Sequence, residues 1–287
     1  MKIAVIGADG QLGTDLMKVL TRDEVRPLYY PEFDVTRPER VRSLFQELRP
    51  DAVINTAAFH RVDECEDNPE AAFRVNSIAV RDLARLASEL GFVLVHFGTD
   101  YVFDGLKMAP YVESDPPNPL NVYAVSKLAG EFFVRALAGK HFLVRTCGLF
   151  GQSSCREKGY NFVDRMIDLA EEGKTIRVVD DQWVSPTSTE ELAERLSDLI
   201  RTDQYGLYHL TSEGQCTWFQ FAKEIFSLLG RTPRLEPVSS KAYPAKARRP
   251  LYSVLENNRA RKTGLRDFSP WNEALRIYLE KKSLIPR

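Results

Sequence analysis

The run Lys2 to Ile6 is β-branched and apolar, Gly7-Ala-Asp-Gly10-Gln-Leu-Gly13 follows at once, and an amphipathic stretch starts at Thr14. Strand, glycine turn and helix at the head of a chain leave few folds open. Gly7 permits the tight turn, Gly10 lets a pyrophosphate approach the backbone, and Gly13 lets the helix pack closely on the strand. The unpaired N–H groups and partial positive charge of the helix N-terminus favour the same anion. Gly7, Gly10, Gln11, Leu12 and Gly13 are therefore the candidate dinucleotide-binding residues. The alternative is a plain glycine-rich turn.

The pattern repeats. Strands are predicted at Lys2 to Ile6, Val25 to Tyr30, Ala52 to Asn55, Phe92 to Phe97 and His141 to Arg145. Helical periodicity covers Leu12 to Leu20, Pro38 to Leu48, Glu70 to Leu90 and Val122 to Leu137. Alternating β and α units imply an α/β fold, a Rossmann-type doubly wound parallel sheet with helices on both faces. After about residue 150 the texture changes. Gln152 to Gly159 reads as a loop, Asn161 to Glu171 as a helix, Ile176 to Val179 as a strand, Thr189 to Ile200 as a helix with a Thr cap, and Gly206 to Leu210 as another strand. We expect a dinucleotide-binding domain over 1–150. A smaller substrate domain over 151–287 is expected to be partly interleaved with it.

Tyr123-Ala-Val-Ser-Lys127 places a phenol and an ammonium four residues apart, on one face of a predicted helix. A cation beside a phenol favours the phenolate and lowers the tyrosine pKa from about 10. That makes Tyr123 a usable general acid and base. Asn118-Pro119 is the expected N-cap and first-turn pair, putting Tyr123 near the positive end of the helix dipole. Thr99 and Asp100 follow the apolar strand Phe92 to Phe97, at the end of a parallel strand that faces the crevice. The Thr99 hydroxyl is placed to bond a substrate carbonyl or the Tyr123 phenol; otherwise Thr99 and Asp100 organise the turn. Asp51-Ala-Val-Ile-Asn55 ends in the small residues Thr56, Ala57 and Ala58, which allow either a flat ligand or close strand–helix packing.

Composition removes several classes. The 287 residues are 44% hydrophobic and 28% charged, with net charge −1, so no electrostatic case exists for nucleic acid or an anionic membrane. Cys65, Cys147, Cys155 and Cys216 lack C-x-x-C spacing and read as reduced thiols of a cytoplasmic protein. His60, His96, His141 and His209 lack zinc-ligand spacing, and no metal site is expected; His96, in an apolar strand, reads as a packed residue. The first strand begins at Lys2, which leaves no room for a signal peptide ahead of it. No apolar run approaches the roughly 18 residues of a membrane span.

Taken together, these residues resemble the extended short-chain dehydrogenase/reductase superfamily, and within it the dTDP-4-dehydrorhamnose reductases. The likeness rests on Gly10-Gln-Leu-Gly13, Thr99-Asp-Tyr-Val-Phe103 and Pro119-Leu-Asn-Val-Tyr123-Ala-Val-Ser-Lys127-Leu-Ala-Gly-Glu131. It continues in Asn161-Phe162, Asp181-Gln182, Pro186-Thr187, Tyr208-His-Leu210 and Ala242-Tyr-Pro-Ala-Lys-Ala-Arg-Arg249-Pro250. It covers nearly the whole chain.

The resemblance implies that NADP(H) or NAD(H) serves the reduction of the C4 ketone of dTDP-4-dehydro-6-deoxy-L-mannose. Tyr123 would protonate the alkoxide, Lys127 would hold the nicotinamide ribose, and Thr99 would orient the carbonyl. Asp34, Val35, Thr56, Ala57 and Ala58 would flank the adenosine part of the cofactor. Asp100, Asn161, Gln182 and Arg249 would join Thr99 around the nucleotide sugar, the guanidinium suiting a diphosphate. A homodimer is usual among such proteins. One departure stands out: the pattern R-T-S-W is replaced by Arg145-Thr-Cys-Gly148, without the tryptophan expected against the sugar. Other readings are another nucleotide-sugar reductase or an epimerase, or a non-catalytic NAD(P)-binding subunit resembling the methionine adenosyltransferase beta subunit. Glu32, after the second strand and without an adjacent Arg, leaves the choice between NADPH and NADH open.

Overall fold

The computed structural model describes residues 1–153, 159–242 and 245–286. Cys155, part of the Gln152 to Gly159 loop, and Tyr243 and Pro244 lie outside the described residues.

Six strands form one all-parallel sheet: β1 (Lys2–Ile6), β2 (Glu24–Leu28), β3 (Ala52–Asn55), β4 (Val93–Phe97), β5 (His141–Arg145) and β6 (Gly206–His209), in the order β6-β5-β4-β3-β1-β2. The expected strands are present, with ends moved by one or two residues. The second stops at Leu28 instead of Tyr30, because Tyr29 and Tyr30 are exposed beyond the sheet. Strand side chains alternate between faces. Ile3 and Val5 join one core with Leu12, Leu16, Leu192 and Leu196, whereas Ala4 and Ile6 join a second with Phe45, Leu83 and Phe92. A sheet covered on both faces is why these strands read as continuous apolar runs.

The helices that matter for the site are α1 (Gln11–Val19), α2 (Pro38–Leu48), α3 (Ala79–Leu90), α4 (Val122–Leu137), α5 (Phe162–Glu171), α6 (Thr189–Leu199), α7 (Trp218–Leu228) and α8 (Trp271–Lys281). The predicted helix from Glu70 to Leu90 is interrupted: a turn of π-helix occupies Arg74–Ile78. The interruption has a packing cause. A Cβ at Gly130 of α4 would lie 2.2 Å from the Asn76 carbonyl, and Asn76 Nδ2 and Ser77 Oγ donate to the Ser126 hydroxyl and carbonyl at 3.0 and 2.7 Å. The π-turn thus clips the tyrosine helix through the Asn76 and Ser77 side chains, with the backbones close at Gly130.

Two caps differ from expectation. Helix α4 is capped by Asn121, whose side chain accepts from Ala124 N at 2.8 Å, while Asn118 donates to Asp104 at 2.9 Å. Ser188 takes the N-cap position of α6 without a side-chain cap bond; the Thr189 hydroxyl reaches across to α1, donating to the buried Asp15 at 2.6 Å. The later half of the chain is threaded through the earlier one: β6 extends the main sheet beside β5, and α6 packs on α1. A third core gathers Phe150, Val163, Ile176, Phe221, Leu275 and Tyr278 from α5, α7, α8 and their neighbours.

Candidate active site

Strand order reverses at β1, which has β2 on one side and β3 on the other, so the carboxyl ends of β1 and β3 open a crevice. A cleft of about 1410 Å³ starts there and runs past α4 to α5 and α7. It brings together all of the sequence-predicted residues: the glycine turn, Asp34, Val35, Thr56 to Ala58, Thr99, Asp100, Tyr123, Lys127, Asn161, Gln182 and Arg249 all line it.

The glycine turn has the features of an anion cradle. Gly7 sits at φ 74°, left-handed, where a Cβ would meet Thr56 Oγ1 at 2.7 Å; that hydroxyl donates to the Ile6 carbonyl at 2.7 Å. A Cβ at Gly13 would fall 2.2 Å from the Gly7 carbonyl, so only glycine lets α1 start there. At Gly10 the nearest atom to an added Cβ would be the Gly7 carbonyl at 3.3 Å, leaving the outward side clear. The first turn of α1 has no side-chain cap and no acidic residue, so its N–H groups face the cleft without competition. Gln11 Oε1 is buried with no hydrogen-bond partner. The glycine turn and the N–H groups of α1, which donate where the Gln11 oxygen cannot, fit a dinucleotide pyrophosphate.

Asp34 is less free than expected. Its Oδ1 accepts from the Thr36 amide at 2.9 Å and hydroxyl at 2.7 Å, and Arg37 lies 3.5 Å from Oδ2. Burial pushes this carboxyl up, but the Thr36 bonds and the Arg37 charge outweigh it and hold it below its usual range.

At the centre, Thr99 donates to Asp100 Oδ1 at 3.1 Å and accepts from the Tyr101 amide at 3.2 Å. Cys147 donates to Asp100 Oδ2 at 3.1 Å. Burial raises the Asp100 carboxyl to about 6, partly opposed by its hydrogen bonds. Lys127, buried on α4, is lowered to about 8 by burial, with Glu131 acting the other way. Tyr123 overturns one expectation. Its phenol is raised, not lowered: burial at the floor of the cleft dominates, the Thr99 hydroxyl works against it, and the Asp100 charge adds to it. Desolvation of the phenolate dominates here. The resting Tyr123 is therefore a neutral phenol, the form that donates a proton. His96 is fully buried and held well below its usual range by burial, as expected of a packed residue.

The substrate end differs from the sequence reading in detail. Asn161 caps α5: its Oδ1 accepts from the Asp164 amide at 3.0 Å, and its Nδ2 donates to the Gly151 carbonyl and the Tyr278 hydroxyl, both at 3.0 Å. Both N–H donors and the cap acceptor are thus engaged inside the protein. Arg249 is gripped by Asp63 at 2.9 and 3.2 Å. Burial pushes the Asp63 carboxyl up, and the Arg249 bonds more than reverse this. Gln182, buried, does reach the cleft wall.

Residues that sequence reasoning passed over occupy the rest of this wall. Phe162, Arg165, Met166 and Leu169 of α5 all face the cleft, at i, i+3, i+4 and i+7, joined by Arg177 and Trp218. The helical stripe was the available signal. Among the described residues no cluster of His, Cys, Asp or Glu could hold a metal, and no helix is long and apolar enough to cross a membrane. Cys65, Cys147 and Cys216 are buried and form no disulfide among the described residues.

Comparison with known proteins agrees with this geometry. A dTDP-4-dehydrorhamnose reductase of Burkholderia thailandensis is 38% identical over 275 residues, covering 90% of this chain and 91% of its own. A dTDP-4-keto-6-deoxy-D-glucose reductase of Streptomyces niveus is 38% identical, covering 94% of each. The crystal structure of dTDP-4-dehydrorhamnose reductase from Bacillus anthracis in complex with NADP superposes with a TM-score of 0.93 at 38% identity, over 98% of this chain and 99% of that one. The family model described as the RmlD substrate binding domain matches residues 1–284, and the chain belongs to that family.

Proposed function

We propose that the protein is an NAD(P)H-dependent reductase of a dTDP-linked 4-keto sugar, converting dTDP-4-dehydro-6-deoxy-L-mannose to dTDP-L-rhamnose. The observation that carries this reading is one continuous cleft. It joins a glycine cradle, a Thr99–Tyr123–Lys127 centre and a long apolar wall studded with Arg165 and Arg177. A bound reduced nicotinamide supplies hydride. The protein's own residues do the rest. The backbone N–H groups of α1 hold the pyrophosphate, and Lys127 holds the nicotinamide ribose. Thr99 turns its hydroxyl from Asp100 to the ketone, and Tyr123 donates the proton that the developing alkoxide needs. Phe162, Met166 and Leu169 give the nucleotide an apolar bed, while Arg165 and Arg177 supply charge for the diphosphate. Gln182 and Arg249 complete that wall, Arg249 as a residue fixed by Asp63. Residues 1–150 form the cofactor half and 151–287 the substrate half, interleaved through β6 and α6. We place the enzyme in the cytoplasm, where its buried thiols would stay reduced, and assign it the homodimeric state usual in the family.

A second reading is a reductase of a differently configured dTDP-4-keto sugar, favoured by the absence of a side chain at Gly148. Loss of NADPH absorbance with a panel of dTDP-4-keto sugars tests both. The first reading predicts turnover with the L-manno sugar and none with the free sugar, because remote contacts to the nucleotide supply orientation. No cofactor consumption with any member would overturn both readings.

A further inference from the structure

The departure at Gly148 has a counterpart elsewhere in the fold. Gly148 follows β5 by three residues and adopts a left-handed backbone, φ 54°. A Cβ there would lie 3.3 Å from Pro186 Cα and 3.3 Å from Cη2 of Trp218. The far edge of an indole from α7 therefore rests against the bare backbone at 148. Any side chain at that position would press on the ring.

Trp218 is held firmly. It is the first residue of α7, whose N-cap Thr217 accepts from the Gln220 amide at 3.1 Å while the Thr217 amide donates to Gln220 Oε1 at 3.0 Å. The Thr217 hydroxyl also donates to Asp180 at 2.5 Å. The indole packs on Phe162 with ring centroids 4.7 Å apart. The residue is still only partly buried and lines the cleft. Its place is close to the chemistry: the neighbour of Gly148 is Cys147, bonded to Asp100, which in turn accepts from Thr99.

We propose that Trp218, admitted by the bare backbone of Gly148, is the specificity-determining wall for the sugar ring in this cleft. The inference rests on the nucleotide-sugar reading above. A 6-deoxy sugar presents C–H groups and a methyl, which an indole covers well, and a tightly held ring rejects epimers whose hydroxyls would point into it.

The test uses the full chain with dTDP and dTDP-L-rhamnose as calorimetric probes, so that the contribution of the sugar is read as the ratio of the two affinities. Trp218→Ala should weaken dTDP-L-rhamnose about tenfold while leaving dTDP and NADP⁺ within about twofold. Trp218→Phe keeps an aromatic on Phe162 and guards against misfolding; it should lose roughly threefold of the ratio. Gly148→Ala should move the ratio the same way, and both Trp218 variants should narrow the preference among 4-keto sugars in kcat/KM. An unchanged ratio in both Trp218 variants, or equal loss for dTDP and dTDP-L-rhamnose, overturns the assignment while the reductase reading stands. A wild-type protein that reduces no 4-keto sugar overturns the reductase reading, and this assignment with it.

Discussion

The two ends of the cleft are built on opposite principles. At the cofactor end the decisive groups are backbone: a left-handed Gly7, a Gly13 where a Cβ would lie 2.2 Å from the Gly7 carbonyl, and uncapped N–H groups. At the opposite end the cleft is walled by side chains of α5, α7 and the strand around Arg177, the wall proposed to take the substrate. A backbone cradle can be recognised in a sequence because few residues other than glycine can make it. A side-chain wall cannot: Asn161 and Arg249 line the cleft, yet their polar groups are bonded within the protein, a pairing that no motif announces. Between the ends sits the tyrosine helix, clipped by the π-turn at Arg74–Ile78.

The largest effect should come from the point where the two ends meet. Tyr123→Phe keeps the ring and removes the proton donor, so turnover should fall about 10²–10⁴-fold with cofactor affinity nearly intact. Retention of a third of wild-type turnover in steady-state assays would remove Tyr123 from its role.

Next comes the backbone end. Gly13→Val should destabilise the fold by about 3 kcal/mol or more in urea unfolding, because the added side chain meets the Gly7 carbonyl and Ala8 backbone. Gly10→Val should keep the fold and weaken NADP⁺ binding instead. Equal stability losses for the two would mean that the turn is only a packing device.

The third effect is on pH. Lys127 is lowered to about 8 by burial, and its role needs the ammonium. The kcat/KM of the free enzyme should be level below about pH 8 and fall up to tenfold per unit above it. Stability moves the other way. A lysine depressed in the folded state carries its burial cost in full below about pH 8 and sheds it between about 8 and its ordinary 10.5, where the unfolded chain binds more protons. A Lys127→Met variant should lose this rise in stability above pH 8 in thermal melts at matched salt.

The smallest pair contrasts an expected substrate residue with one that carried no motif. Asn161→Ala should cost about 1 kcal/mol of stability as a lost cap and leave the KM for nucleotide sugar near wild type. Arg165→Ala should raise that KM several-fold with little change in melting, since its exposed pairing with Glu172 at 3.4 Å is weak. The reverse pattern would restore Asn161 as a ligand and leave Arg165 as a surface residue.

These contrasts explain what was legible. The five leading strands and the glycine turn were readable because a doubly covered parallel sheet demands apolar runs, and a phosphate cradle demands glycine. The cap of α4 was misplaced by three residues, because Asn118 and Asn121 are both good caps and only the packing against Arg248 and Asp104 decides between them. The Tyr123–Lys127 spacing predicts a lowered phenol pKa, but spacing does not show how dry the site is, and burial raises it. Trp218 was invisible as a wall since its reach depends on the backbone angle at Gly148, seventy positions earlier in the chain. The return of β6 beside β5 was also beyond pattern, as a short strand does not announce its neighbour.

The central claim, that the cofactor cradle and the sugar wall meet at Tyr123 for one transfer, has a direct measurement. NADPH carrying deuterium at its transferable position is incubated with the protein and dTDP-4-dehydro-6-deoxy-L-mannose, and the product is read by NMR. The account predicts deuterium at C4 of dTDP-L-rhamnose, none of it lost to water, and no product from Tyr123→Phe at comparable times. Product without deuterium at C4, or equal product from Tyr123→Phe, would contradict it.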